Sequence, residues 1–339
     1  MTTNNDIRLG VLGTGRIGRM HVDLVHHRTP GISVTAVYDV HTPSADEVAG
    51  SVGARVATSP ADLIEGDDVD AVAVCTPTDT HIDLLVAAAA AGKPVFIEKP
   101  VSLDLSEVDR GMAAAKAAGI AVQVGFNRRF DASHRAVRDA VHAGDIGQVQ
   151  MVRITSRDPA PPPLSYIPAS GGIFLDMTIH DFDMVRYVSG SEVVEVYATG
   201  AVMVDPAIGE AGDLDTVVLV LTHANGAITT IDNSRQAVYG YDQRVEVFGS
   251  GGMVASANHV DHTAVKRTAA GSSGSTIPYF FLDRYIPSYL AEWDDFVAMV
   301  RDGADSPVTL DDGRAPLVMG LAALRSIEEQ RPVKIEEIT

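Results

Sequence analysis

Three short stretches carry side chains whose types and spacing could do chemistry. Glu98-Lys99-Pro100 follows the apolar run Val95-Phe96-Ile97, so Lys99 stands at the carboxyl end of a strand, where open α/β sheets bind ligands. An ammonium there can hydrogen-bond a substrate hydroxyl and stabilise the alkoxide that forms as a hydride leaves; a solvated lysine at a strand end is the plain alternative. Pro100 restricts Lys99 to an extended conformation and permits a cis bond between the two. Asp176 and His180 are spaced i, i+4, with Asp183 three residues further, so on one helix all three project from the same face. A histidine near a carboxylate is the ordinary way to place a proton acceptor with a pKa near neutrality. A surface Asp and His pair is the bland alternative, and the crowding of Asp176, His180, Asp181 and Asp183 on an otherwise apolar stretch argues against it. The third stretch is Gly125-Phe126-Asn127-Arg128-Arg129-Phe130. Paired arginines are usually surface charges, but at a junction between domains one of them can reach a polyhydroxy substrate or a cofactor.

Hydride chemistry needs an acceptor, and the beginning of the chain offers an address for one. Residues 10–18 read Gly10-Val11-Leu12-Gly13-Thr14-Gly15-Arg16-Ile17-Gly18, a G-x-G-x-x-G turn directly after the apolar run Ile7 to Leu12. Gly13 allows the tight turn, Gly15 lets the backbone approach a pyrophosphate, and Gly18 lets the next helix pack close to the strand. Phosphate charge then rests on free N–H groups at a helix N-terminus. Asp39 closes the following apolar run, where its carboxylate can accept hydrogen bonds from both ribose hydroxyls of NAD and would repel a 2′-phosphate. No Arg or Lys follows in Val40-His41-Thr42-Pro43 to welcome that phosphate, so the cofactor expected is NAD. A helix cap or turn residue is the alternative for Asp39. No metal is expected, because no further His or Cys cluster stands at ligand spacing and hydride transfer to a nicotinamide needs none.

The elements that must position these residues alternate along the first third. Strands are predicted near 7–12, 33–39, 71–75, 94–98 and 121–125, with helices near 16–28, 44–51, 80–91 and 105–118, as a parallel sheet covered on both faces requires. The composition then changes. A helix near 131–143 leads into β-rich runs at 149–156, 193–200, 214–222, 227–234, 243–249 and 252–257, with Asn225-Gly226 as a hairpin signal and one helix over 172–188 between them. This predicts an open, largely antiparallel sheet. Asp158-Pro159-Ala160-Pro161-Pro162-Pro163 can be neither helix nor central strand and reads as a stiff loop. The domains are set at 1–126 for the dinucleotide and 127–339 for substrate binding and oligomerisation.

Composition narrows the partners. With 339 residues there is room for two large cores, and a net charge of −19 argues against nucleic acid or an anionic membrane surface. The single cysteine, Cys75, lies inside Ala71-Val72-Ala73-Val74-Cys75 and reads as a buried small side chain. The start lacks the charged and apolar regions of a signal peptide, and no apolar stretch approaches the ~20 residues that span a bilayer, so a reducing cytoplasm is the expected location.

Taken together, these motifs, with Gly171-Gly172-Ile173-Phe174-Leu175-Asp176-Met177-Thr178-Ile179-His180-Asp181 and Arg235-Gln236-Ala237-Val238-Tyr239-Gly240-Tyr241-Asp242, resemble the glucose–fructose oxidoreductase, inositol dehydrogenase and rhizopine-catabolism (Gfo/Idh/MocA) family over nearly the whole chain. The resemblance implies a Rossmann domain joined to an α/β domain whose open sheet mediates a homotetramer. It implies catalytic roles for Lys99, Asp176 and His180, the last as proton acceptor, and substrate contacts from Lys99, Arg129, Asp176, His180, Asp183 and Tyr239. On the cofactor side it places Gly13, Thr14, Gly15, Arg16, Ile17, Asp39, Thr76, Pro77, His81, Glu98 and Lys99. The activity implied is NAD-dependent oxidation of a cyclic polyol, myo-inositol foremost. A pyranose such as levoglucosan or glucose, or scyllo-inositol, remains the alternative substrate, and a non-catalytic NAD-binding sensor the alternative class.

Overall fold

The computed structural model describes residues 6–338. Two compact units divide the chain: the first runs up to Asn127 and adds Pro287–Arg314, and the second is Arg128–Ile286 with the chain from Ala315 onward. The sequence reading gave everything from 127 to 339 to the second domain, so the return of residues 287–314 to the first is a correction.

In the first unit the order is β1 (Ile7–Leu12), α1 (Arg16–Arg28), β2 (Ile32–Tyr38), α2 (Thr42–Val52), β3 (Arg55–Val56), α3 (Pro60–Ile64), β4 (Ala71–Val74), α4 (His81–Ala90), β5 (Val95–Glu98), α5 (Leu105–Ala118) and β6 (Val122–Gly125). The strands form one parallel sheet in the order β3-β2-β1-β4-β5-β6. Every residue of β4 and β6 is buried, as expected for strands covered on both faces. Helices and strands fall close to their predicted places; β3 and α3, only two and five residues long, gave no periodic signal.

The second unit contains α6 (Ala132–His142), β7 (Val149–Arg157), α7 (Ile167–Ser170), α8 (Gly172–Asp176), α9 (Ile179–Ser189), β8 (Val193–Ala201), α10 (Pro206–Glu210), β9 (Thr216–His223), β10 (Ile228–Ser234), β11 (Asp242–Gly249), β12 (Gly252–Ser256) and the short hairpin β13 (Lys266–Thr268) and β14 (Gly271–Ser273). Two long helices follow, α11 (Phe281–Asp302) and α12 (Leu310–Glu329), then β15 (Val333–Lys334). The main sheet runs β12-β11-β7-β10-β9-β8-β15, and only β7 with β10 is parallel, so it is largely antiparallel as expected. One face packs under α6, α9 and α12 through residues such as Val137, Phe182, Val185 and Ala322. The other exposes Met151, Val194, Tyr197, Val218, Val220, Ile228, Phe248 and Met253.

Two elements depart from the sequence reading. The single helix over 172–188 is broken at Met177–Thr178: both of their N–H groups donate to the carbonyl of Ile173, and the Thr178 hydroxyl bonds Asn233 Oδ1 at 2.6 Å. Asp176 therefore ends one helix and His180 lies in the next, and the i, i+4 argument does not hold in its original form. Helix α11, for its part, has Trp293, Phe296, Val297 and Met299 in the core of the first unit with Phe96, Val22 and Val25. Burying these four outweighs any local preference, at about 1.5–3 kcal/mol or more each.

Candidate active site

The glycine turn separates what the fold needs from what a ligand needs. Gly13 has φ +93°, and a Cβ there would lie 2.6 Å from the carbonyl oxygen of Cys75; one on Gly18 would lie 1.9 Å from the Gly13 oxygen. Both are demanded by the protein's own packing. A Cβ on Gly15 would meet nothing within 4 Å, and Gly15 caps α1 without any side-chain hydrogen bond. The room it leaves is room for something outside the chain, at a helix N-terminus suited to phosphate.

Asp39 lies beside this turn. Its carboxylate accepts from the N–H of Thr14 at 2.7 Å, the Thr14 hydroxyl at 3.1 Å and the N–H of His41 at 2.8 Å. Partial burial alone would push the carboxyl up, but these bonds hold it below the usual carboxylate range. The alternative reading of Asp39 as a turn residue is thus realised too, and the two uses are compatible, since a carboxylate has lone pairs to spare. Arg19 is the nearby cation, and its guanidinium is committed to Glu47 at 2.7 Å, to Ser44 and to the carbonyl of Thr14.

At the next two strand ends, the loops carrying Thr76-Pro77 and Glu98-Lys99-Pro100 meet at a histidine. His81 is 1 % exposed, with Nδ1 2.9 Å from the carbonyl oxygen of Pro100 and Nε2 2.9 Å from that of Thr76. Both ring nitrogens face backbone carbonyls, so His81 stands between the two loops that carry the other expected cofactor contacts. Burial pushes its pKa down. The Lys99–Pro100 bond is cis. Glu98 accepts the backbone N–H of Lys99 at 3.1 Å through Oε2, and its Oε1 lies 2.8 Å from His21 Nε2.

In the second unit Asp176 is held from two sides. Tyr166 donates its hydroxyl to Oδ1 at 3.2 Å, and Arg235 donates to Oδ2 at 3.1 Å while reaching Asp213 at 3.4 Å. The adjacent arginines Arg128 and Arg129 pair with Asp181 at 2.7 Å and Asp183 at 2.6 Å, and all four are buried. Arg129 and Asp183, both expected to contact substrate, thus also bind each other through two guanidinium nitrogens. Asn233 completes the Asp181 site by donating its side-chain amide N–H to Oδ2 at 2.7 Å. Tyr239 stands apart from these bonds: half exposed, it donates to Asp242 at 2.7 Å and accepts from Arg157 at 3.2 Å.

Sequence reasoning missed two residues here. Arg235 was quoted only as part of a motif, although its burial makes it the anchor of Asp176. Asp158 was read as the start of a stiff loop. Burial pushes its carboxyl up to about 6, with Arg235 and Arg128 opposing and Asp176 and Asp181 adding to the shift. A carboxyl that changes charge near pH 6 beside Asp176 and Arg235 belongs with the polar cluster. The available signal was an aspartate at the carboxyl end of a strand, directly after Arg157. Among the described residues, no group of three or more His, Cys, Asp or Glu side chains could hold a metal ion, and no helix is long and apolar enough to cross a membrane.

Comparison with known proteins agrees with this geometry. Residues 7–126 match the oxidoreductase family with an NAD-binding Rossmann fold, and 134–255 match the GFO/IDH/MocA C-terminal domain. The chain belongs to the Gfo/Idh/MocA family of oxidoreductases. Its cofactor is NAD, which the Gly15 cradle and Asp39 fit. It is 50% identical to a myo-inositol 2-dehydrogenase of Thermotoga maritima over 98% of this chain and 99% of that one, and 46% identical to an inositol 2-dehydrogenase of Rhizobium meliloti over 97% and 99%. The crystal structure of a scyllo-inositol dehydrogenase of Lactobacillus casei with bound NAD(H) and scyllo-inositol superimposes with a TM-score of 0.92 at 28% identity, covering 98% of this chain and 99% of that one.

Proposed function

We propose that this protein oxidises myo-inositol to its 2-ketone with NAD as hydride acceptor. The observation that carries the reading is 50% identity to the Thermotoga enzyme over nearly the full length of both chains, joined to a polar cluster of Arg128, Arg129, Asp158, Asp176, Asp181 and Asp183 that suits a ring of hydroxyls and not an apolar ligand. Bound NAD supplies the nicotinamide that takes the hydride from the carbinol carbon. Lys99 hydrogen-bonds the reacting oxygen and stabilises its developing charge. His180 takes the hydroxyl proton, so the ketone, NADH and one proton are formed. Asp176, oriented by Tyr166 and Arg235, accepts hydrogen bonds from the ring hydroxyls, and Arg129, Asp183 and Tyr239 serve as further substrate contacts. Gly13, Thr14, Gly15, Arg16, Ile17, Asp39, Thr76 and Pro77 hold the dinucleotide.

Purified protein should form NADH from myo-inositol, and faster at alkaline than at acidic pH, because the oxidation releases a proton. The likeness to the Lactobacillus casei enzyme favours scyllo-inositol as the second reading. A panel of myo-inositol, scyllo-inositol, glucose and levoglucosan separates them; a pyranose turned over far better than either inositol overturns the assignment. The exposed apolar face of the seven-stranded sheet supports the further reading of a homotetramer, which a Val218→Glu, Val220→Glu double variant should dissociate in a light-scattering measurement. The lone Cys75, buried enough for its thiol to be pushed up, suits a reducing cytoplasm, a placement that fractionation of the native cells would check.

A further inference from the structure

The first unit contains a buried run of hydrogen bonds that cofactor binding and proton transfer leave unexplained. The indole N–H of Trp293 donates to His21 Nδ1 at 3.0 Å. An indole can only donate, so Nδ1 carries no proton and the ring's hydrogen is on Nε2, aimed at Glu98 Oε1 2.8 Å away. The other oxygen of Glu98 accepts the backbone N–H of Lys99. A continuous path thus joins one tryptophan to the main chain of Lys99.

The tryptophan and histidine end of the path is enclosed, and Glu98 is mostly buried. Trp293 and His21 are fully buried; Phe96 stacks on the indole at 4.7 Å, and Tyr289 meets the imidazole edge-on at 5.5 Å. Gly125 lies so close that a Cβ there would sit 3.2 Å from the Glu98 carboxyl. Glu292 is also fully buried, and neither of its carboxyl oxygens has a hydrogen-bond partner. Burial, with Glu98 adding to it, raises its pKa well above the usual value, which favours its neutral form. Apolar side chains could fill such a core without loss of stability. What they could not do is fix the orientation of a carboxylate beneath Lys99.

We propose that Trp293 and His21 are positioning residues for the dehydrogenase reaction: by orienting Glu98 they hold the main chain of Lys99, and so aim its ammonium at the reacting oxygen. This rests on the role given to Lys99 above, and two measurements separate the inferences. Trp293 is the only tryptophan, so its indole N–H gives a single identifiable signal in a ¹H–¹⁵N spectrum. That signal should lie downfield, move upfield in His21→Leu, and also move in Glu98→Gln, although Glu98 does not touch the indole. In turnover, Trp293→Phe keeps the ring stack and loses the donor. It should lower kcat about tenfold with NAD affinity within about twofold, the scale of other outer orienting partners. His21→Gln, whose amide can both accept from Trp293 and donate to Glu98, should recover most of kcat, and His21→Leu should not. A purely structural role would lower the melting temperature of these variants and leave the kcat of folded protein unchanged. Wild-type kcat in Trp293→Phe and His21→Leu, or an indole signal blind to Glu98→Gln, overturns the proposal. A responsive indole in a protein inactive on every polyol overturns the functional reading instead.

Discussion

Arg235 and Asp176 form a pair in which the cation is buried and the anion is the exposed partner: the arginine side chain is 1 % exposed and the aspartate 15 %. The guanidinium is therefore part of the core, and Asp176 is the end of it that faces outward. Through its second nitrogen Arg235 also reaches Asp213, whose Oδ1 accepts the N–H of Ile173 in α8. Asp176 is thus anchored through its side chain as well as through its helix.

Replacing Arg235 by Met should be costly on two counts. Two largely buried carboxylates lose their common partner, a loss of about 3–5 kcal/mol in a urea titration. In the folded fraction kcat should fall at least tenfold, and combining it with Asp176→Asn should add little further loss, because both changes remove the same orientation. Additive effects would separate the pair.

His180→Ala should lower kcat by roughly 10²–10⁴, the usual worth of a positioned acid–base group, with NAD affinity nearly unchanged. Lys99→Met should also suppress turnover without unfolding the protein. Pre-steady-state NADH formation reads both, and wild-type rates in either variant would require a different proton acceptor or a different oxygen-binding residue.

Asp39 predicts cofactor choice. NAD should be preferred to NADP by kcat/KM, and Asp39→Ala should narrow the gap mainly by weakening NAD, by about 1–3 kcal/mol for a lost charged hydrogen bond. Equal use of the two cofactors by the wild type would contradict this. Because Thr14 and His41 also lose their acceptor, a modest loss of stability should accompany the change.

Asp158 predicts a pH dependence whose sign is fixed by the direction of its shift. Its folded-state value of about 6 lies above that of an ordinary aspartate, so the protein binds this proton more tightly when folded. The stabilisation is complete below about pH 4 and is lost as pH rises through about 6, a change of about 2 kcal/mol after allowing for partial exposure. Asp158→Asn should remove that slope from the pH dependence of the urea midpoint between about pH 4 and 7; an unchanged slope would assign the titration elsewhere.

The legible parts of the sequence share a physical cause. Strand β4, the Val95–Ile97 part of β5 and the Leu9–Leu12 part of β1 are buried and read as apolar runs, and the three glycines are spaced by a turn that tolerates no substitute at two of them. The β-branched run of β9 announces a strand, but the alternation in its burial is not legible, because the exposed Val218 and Val220 are as apolar as the buried Val217, Leu219 and Leu221. What stayed hidden depends on partners far along the chain. The break at Thr178 needs Asn233, the fixing of Asp176 needs Arg235, and the placement of α11 depends on a groove beside Phe96 that no local pattern describes. The two carbonyl contacts of His81 are likewise visible only in three dimensions.

The discontinuity of the first unit also bears on how the protein is made. Asn127 leaves the ribosome long before Trp293, Phe296 and Met299 do, and at about 5–20 residues per second the interval is roughly 8–35 s. Throughout it the nascent sheet lacks the side chains that close over Phe96, and Glu98 lacks the tryptophan at the far end of its hydrogen-bond path. The dinucleotide-binding half, first to be translated, is therefore completed only after every strand of the other half's sheet but β15 has been synthesised, and a gene cut at Asn127 would not yield a free-standing cofactor module.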